Sequence, residues 1–379
     1  MQTSIYQYAN NEWISCPLNQ IVLGQNAQLV ICFARKKLLK TSDVHDTVKS
    51  EFPNAIITFC STAGEIFHDQ VYDDSFVVIA MEFKNTPLTS ASVNIKDFAN
   101  RYDAAITLAN QFELKDLSYL MVFSDGSLVN GSELVKGLNT VIPKNVLITG
   151  GLAGDGADFT STLVGLNKQP TEGEIVAIGF YGKNLVVTHG SHGGWDIFGL
   201  EKRITKSVQN VLYEIENQNA LELYKKYLGK DAAGLPGSAL LFPLHVTIPG
   251  SEKSVVRTIL SIDEDNQSMT FAGDVPEGSK VRFMKANFEH LTNAASTAAT
   301  QCINHTDRKP DFALLISCVG RKLILGAKTH EEVKAINNTF QNKTLLAGFY
   351  SYGEISPFSE GGSCQLHNQT MTVTAFYEN

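Results

Sequence analysis

The feature that most constrains this chain is a pattern that occurs three times. An apolar run is followed by an amphipathic stretch, by a second apolar run that ends in a glycine and an acid, and by a closing apolar run. The first copy comprises Leu29-Val30-Ile31-Cys32-Phe33-Ala34, a helix predicted over 43–52, Ile56-Ile57-Thr58-Phe59 running into Cys60-Ser61-Thr62-Ala63-Gly64-Glu65-Ile66, and Phe76-Val77-Val78-Ile79-Ala80. The second has Leu120-Met121-Val122-Phe123 leading into Ser124-Asp125-Gly126, then a helix predicted over 132–141. Val146-Leu147-Ile148-Thr149 follows, with a glycine-rich turn at 150–156 and a closing run at 175–180. In the third, Ala313-Leu314-Leu315-Ile316-Ser317 precedes a helix whose opening Thr329-His330-Glu331-Glu332 reads as a capping box. Leu345-Leu346-Ala347-Gly348 then enters Phe349-Tyr350-Ser351-Tyr352-Gly353-Glu354-Ile355, and Met371-Thr372-Val373-Thr374-Ala375-Phe376 closes the copy. Short apolar runs bounded by turn residues suit buried strands. The alternation predicts an α/β fold, with mixed sheets flanked by helices and built from repeated strand-helix-strand-strand modules in two halves.

Superposing the copies aligns Gly64, Gly154 and Gly353, each followed by an acid: Glu65, Asp155 and Glu354. Glycine at such a corner predicts positive φ or a close backbone approach. The acids have two readings, as caps of turns or helix ends and as walls of a shared pocket.

At 379 residues the chain is long enough for two or three domains. Between the second and third copies, Val211, Leu212, Ile215, Leu221, Leu223, Tyr224 and Leu228 are spaced for one or two amphipathic helices over 210–228, with a loop at 229–237. A boundary near 215–225 follows, giving an extension over 1–27, an N-terminal domain over 28–220 and a C-terminal domain over 221–379.

Apolar residues at 43% and charged residues at 18% exclude a disordered scaffold. Lys and Arg total 31 against 39 Asp and Glu, a net −8, so the surface lacks the positive field that nucleic-acid backbones require. No run of about 18 to 20 apolar residues offers a membrane-spanning helix, and the N-terminus has no basic-then-apolar leader. A cytoplasmic location is expected, with no nucleic-acid or membrane partner. The six cysteines, Cys16, Cys32, Cys60, Cys302, Cys318 and Cys364, read as reduced and mostly buried thiols.

Several motifs invite chemistry. The glycine-rich turn at 150–156 is neither a dinucleotide fingerprint nor a phosphate loop, and its acid would repel phosphate. His189-Gly190-Ser191-His192-Gly193-Gly194-Trp195 sets two imidazoles among glycines, a pattern open to an axial haem ligand, a zinc ligand or a plain turn. Cys364-Gln365-Leu366-His367 could join that pair at zinc, but two short, widely separated pairs are a weak signal, and no metal site is assigned. Ser124, Cys60 and Cys318 sit at strand ends, where nucleophiles often lie, yet none belongs to a G-x-S-x-G elbow. An enzyme is the least favoured reading.

Cys60 to Ile66, Phe123-Ser124-Asp125-Gly126 with Asn130-Gly131-Ser132-Glu133, the turn at 150–156 and the segment from His189 to Trp195 resemble the N-terminal half of the FIST family. Leu221-Glu222-Leu223-Tyr224, Phe271-Ala272-Gly273-Asp274, Ser317-Cys318-Val319-Gly320-Arg321, the corner at 348–355 and Leu366-His367-Asn368-Gln369 resemble its C-terminal half. The resemblance implies a stand-alone intracellular sensory protein that is not an enzyme. It would bind a small ligand and signal to a separate effector, such as a sensor histidine kinase, with a homodimer possible. Members that it resembles include nitric-oxide-sensing haemoproteins, which implies haem b; local chemistry offers His192 and His189, in their glycine-flanked segment beside Trp195, and His367 beside the closing strand as its ligands, with His245 an outside candidate. The alternative is a metal-free sensor of an amino acid or related metabolite, whose ammonium group Glu65, Asp155 or Glu354 would hold. Candidate ligand contacts are Cys60, Ser61, Glu65, Ser124, Asp125, Asp155, Tyr350, Tyr352, Glu354, His367 and Asn368.

Overall fold

The computed structural model describes residues 1–9, 12–19, 22–41, 43–251, 254–303, 308–358 and 361–379. Each repeat folds as an opening strand, a helix, a second strand parallel to the first, a corner and an antiparallel closing strand. In the first module these are Leu29–Ala34, Val44–Glu51, Ile56–Ser61 and Phe76–Glu82. The second uses Leu117–Ser124, Gly131–Val141, Leu147–Leu152 and Glu174–Tyr181. The third uses Phe312–Cys318, His330–Thr339, Leu345–Ser351 and Met371–Glu378.

A fourth strand borders each closing strand: Gln2–Ala9, Leu88–Asn94 and Leu185–His192 respectively. The N-terminal residues therefore belong to the first module's sheet. In the third module, the segment between Leu185–His192 and the helix Phe288–Ile303 leaves the module to build a separate eight-stranded sheet from strands within 196–285. Its strands pair across the sequence boundary expected at 220, because Val211–Ile215 lies between Asp196–Val208 and Ser268–Phe271.

The modules exchange strands in a ring. Val164–Leu166 of the second pairs with Ile56–Ser61 of the first, Glu65–Phe67 of the first with Leu345–Ser351 of the third, and Gly353–Pro357 of the third with Leu147–Leu152 of the second. Three sheets related in this cyclic way turn one face inward to a common core and carry helices on the other. Alternation along Leu29–Ala34 illustrates this: Leu29, Ile31 and Phe33 enter the common core, while Val30, Cys32 and Ala34 pack beneath the helix. Phe33, Phe123 and Phe349, one from each module, meet at the centre with ring centroids 5.6, 4.6 and 6.2 Å apart. Such aromatic contacts add stabilisation beyond the area they bury.

Two local expectations are corrected. The 210–228 stretch is helical only from Ala220 to Leu228. Val211–Ile215 is a strand, and the chain reverses at Glu216 and Asn217, both at positive φ, before the Asn219 side chain caps the helix by accepting from Glu222 N at 2.9 Å. Thr329 does not form a capping box. Its hydroxyl donates back to the Gly326 and Lys322 carbonyls, and Glu332 turns inward to pair with buried Arg321 at 2.8 Å.

Candidate functional site

The three glycine-acid corners have two designs. In the first module Thr62 donates its hydroxyl to one oxygen of Glu65, while the backbone and hydroxyl of Ser75 donate to the other at 3.1 and 2.8 Å. The third module repeats this with Ser351 on one oxygen of Glu354 at 2.8 Å and Thr370 on the other at 3.1 and 2.8 Å. Ser75 and Thr370 each immediately precede a closing strand, so both acids clip that strand to its corner. Burial pushes these carboxyls up to about 7 for Glu65 and about 8 for Glu354, against the pull of their hydrogen bonds.

The second module departs because Leu152 stands where the others carry Thr62 and Ser351. Asp155 instead accepts from Lys36 at 2.9 Å, from Thr160 N and Oγ1 at 3.0 and 2.7 Å, from Ser161 N at 3.0 Å, and from the Tyr352 hydroxyl. Burial opposes ionisation, but the bonds from Tyr352, Lys36, Ser161 and Thr160 outweigh it and hold the carboxyl well below the usual range. Of the three glycines, only Gly64 has positive φ, at 139°. Gly154 answers to close approach, since a Cβ there would lie 2.9 Å from Ala63 N, and a Cβ on Gly353 would meet Leu152 and Leu366 at 3.0 Å.

Where the end of an opening strand meets the neighbouring module's corner, the ring creates three equivalent junctions. Lys36 closes one by reaching Asp155, and Lys322 closes another by reaching the Ala63 carbonyl at 2.8 Å and Asp73. The third, between Gly126–Asn130 of the second module and Tyr352 of the third, has no lysine across it among the described residues. It opens into a cavity of about 740 Å³ roofed by the 196–285 unit. Residues 126–130, Glu133, Leu152, Phe159 and Thr160 form one wall, Cys318, Val319, Gly320 and Tyr352 another, and Pro236, Leu240, the segment 258–261, Phe271 and Ala272 the roof.

The roof is clasped to the core by Asn130 on Asp274 at 3.1 Å, Arg257 on the Leu366 carbonyl at 3.1 Å, and the Trp195 indole on the Gln369 carbonyl at 2.9 Å. The floor loop is set by Asp125, which is fully buried: it accepts from Ser127 N and Leu128 N, both at 2.7 Å, and from Gly173 N at 2.9 Å. Asn130 caps the helix that presents Glu133. Among the described residues the Glu133 carboxylate has no hydrogen-bond or ionic partner, and the buried Thr258 hydroxyl has none either.

Phe159 and Tyr352 form the rim. Their rings stack with centroids 4.8 Å apart at 18°, and Phe159 N donates to the Tyr352 hydroxyl at 3.1 Å. Phe159 has φ of 50°, a conformation that bulky residues rarely adopt.

Of the residues expected to contact ligand, Tyr352 lines the cavity, and Asp125 and Asp155 hold the loops that do. Cys60 lies in the common core, Ser61 bridges the Gly154 carbonyl and Leu163 N, and Ser124 donates to the Asp125 carbonyl. Tyr350 donates to Glu332 at 2.6 Å in a buried cluster with Arg321 and Ser317, while Glu65 and Glu354 are the strand clips. His367 and Asn368 are buried away from the cavity walls. Glu133, Thr258 and Phe159 were not singled out for binding. Besides Tyr352, the segment Asn130-Gly131-Ser132-Glu133, noted in the sequence for its resemblance to the family, placed part of the wall.

None of the candidate haem ligands His189, His192, His367 and His245 lines the cavity. His367 Nε2 is bound to the Ser356 carbonyl at 2.9 Å, and its ring meets the edge of Phe358 at 4.8 Å; burial depresses its pKa to about 4. His189 Nε2 contacts the Pro357 carbonyl at 3.1 Å, and His192 is exposed. Among the described residues no histidine lines the cavity of about 740 Å³. Among the described residues no three His, Cys, Asp or Glu side chains converge to hold a metal ion, and no helix is long and apolar enough to cross a membrane.

The FIST N domain matches residues 28–218, and the FIST C domain matches residues 220–357. No curated protein matches the chain. Among solved structures, a chorismatase crystal structure is similar over 98% of both chains, at 9% identity and a TM-score of 0.37, a likeness too distant to bear on activity.

Proposed function

Because the chain belongs to the FIST family through both of its domains, a sensory signal-transduction assignment, we propose that its ligand is a small molecule bound in the cleft between the module ring and the 196–285 unit. The observation that carries this reading is the broken symmetry of the junctions: two are bolted by Lys36 and Lys322, and the third is left as a cavity of about 740 Å³, within the range of small-molecule sites. The 196–285 unit leaves and rejoins the core at neighbouring points, Asp196 pairing with Lys285. A ligand touching both wall and roof favours the closed arrangement by its differential affinity, and a separate signalling protein in the cytoplasm, such as a histidine kinase, would read that bias.

A binding role suits the candidate nucleophiles better than catalysis does. Burial raises the thiols of Cys60 and Cys318, and Ser124 spends its hydroxyl on a neighbouring carbonyl. Haem-based detection of nitric oxide gains no support from the histidine geometry. An absorption spectrum of protein supplied with haem tests it: a Soret band that shifts with nitric oxide would support haem sensing, and an unchanged spectrum would remove it.

The experiment for the cleft is a thermal-shift screen of small metabolites against the wild type and Ser261→Trp, a substitution that fills the cleft from an exposed roof position. Ligand binding raises stability by mass action. Compounds that raise the melting temperature of the wild type should leave the variant unmoved; hits that stabilise both equally would place the receptor site elsewhere.

A further inference from the structure

We infer that the cleft selects a planar aromatic ring carrying a cationic amine. The inference rests on the cleft being the receptor site and adds the chemistry of the occupant.

The first observation is the rim. Phe159 is 45% exposed and held at φ of 50°, yet its position is heavily determined. Its amide is bound to Tyr352, its ring lies on the Tyr352 ring, and the next two residues are tied to Asp155. A bulky residue kept in a sparsely populated conformation by its surroundings is a recurrent property of binding clamps. Leu128 and Leu260, 38% and 47% exposed, border the same cavity, so a flat ring there would find the Phe159–Tyr352 shelf together with aliphatic surface. Aromatic stacking favours offset or edge contacts of this kind.

The second observation is charge. Among the described residues two ionic groups border the cavity, Glu133 and Arg101. The Arg101 guanidinium donates through Nε and Nη2 to the Leu128 carbonyl at 3.3 and 3.2 Å. The Glu133 carboxylate has no partner among the described residues, and it stands in the first turn of a helix, whose N-terminal dipole favours a negative charge there over a positive one. Asp155, the next acid behind the wall, is already matched by Lys36. Of the two groups bordering the cavity, Arg101 has its N–H groups engaged by a carbonyl, while the Glu133 carboxylate is left with no hydrogen-bond partner among the described residues, and that unmet carboxylate calls for an ammonium group. Thr258, buried and without a hydrogen-bond partner among the described residues, lies in the roof beside Ser261.

The test uses calorimetry on the full chain with 2-phenylethylamine, butylamine and phenylacetate. The amine with a ring should bind, and removal of the ring or reversal of the charge should weaken binding by about tenfold or more, the scale of one lost charge-assisted or stacking contact. Glu133→Gln should weaken 2-phenylethylamine to a similar degree. Phe159→Asn removes the ring while placing a residue tolerant of positive φ, so it should weaken binding without lowering the melting temperature. Phenylacetate binding as tightly as the amine, or undiminished binding to both variants, overturns the inference. If other compounds bind in a manner blocked by Ser261→Trp while 2-phenylethylamine does not bind, the ligand class falls and the cleft stands. If 2-phenylethylamine binds and Ser261→Trp leaves it unaffected, both fall.

Discussion

Tyr352 of the third module donates its hydroxyl to Asp155 of the second, joining two corners of the ring at the rim of the cleft. The same oxygen receives the Phe159 amide, so one phenol fixes the acid, the loop and the stacked ring. Tyr352→Phe keeps the ring and removes these bonds. A hydrogen bond to a charged acceptor contributes about 1.5 to 3 kcal/mol when lost, and the remaining partners of Asp155 place the expected destabilisation at the lower end. Denaturant titration measures it, and amide exchange at Phe159 should accelerate while the core strands stay protected.

Glu354 supplies a pH signature. Its folded pKa of about 8 lies above the value of an exposed glutamate, near 4.3, so between those limits the folded state binds more protons than the unfolded one. The stability this group contributes is fully present below about pH 4.3 and is lost as pH rises through about 8. Glu354→Gln mimics the protonated acid toward Ser351 and Thr370 and removes the titration. Melting temperatures from pH 4.5 to 8.5 should therefore fall more steeply for the wild type than for the variant, and parallel curves would contradict the assignment.

Arg321 and Glu332 are a fully buried pair, and Arg321 also serves the Gly193 and Leu291 carbonyls at the base of the 196–285 unit. Arg321→Met strands the carboxylate and should cost about 3 to 5 kcal/mol, as broken buried pairs do. Arg321→Met with Glu332→Leu should recover part of that loss in the same denaturant assay, leaving the hydroxyls of Ser317 and Tyr350 unmatched.

Gly126 carries the floor of the cleft against the neighbouring corner. A Cβ there would lie 2.1 Å from the Ala153 carbonyl oxygen, so the loop must move. Gly126→Ala should lower the melting temperature and abolish the stabilising response to any cleft ligand. An unchanged response would show that the floor loop is not part of the site.

The sequence carried the three modules because each strand is buried on both faces and reads as an unbroken apolar run, as Leu29–Ala34 does. It did not carry the fourth strands. Leu88–Asn94 is a half-buried edge strand with Thr89, Ser90, Ser92 and Asn94 among its residues, and its pairing with Glu174–Tyr181 depends on a partner about eighty residues away. The aligned acids were legible as a set, but the pocket was not, because it arises where the symmetry fails. Leu152 in place of a hydroxyl and the absence of a lysine after Ser124 change only side chains, and their consequence depends on which modules the ring brings together. Phe159 was hidden for a related reason: its exposed ring is held by Tyr352, far along the chain.

The central claim is that the open junction is the receptor site. Hydrogen exchange on the full chain, with and without a compound that stabilises it in the thermal screen, tests this most directly. The account predicts that added protection falls on residues 126–133, 158–160 and 258–261. Protection around the Glu65 and Glu354 clips or around His189 and His367, with those three segments unchanged, would contradict it.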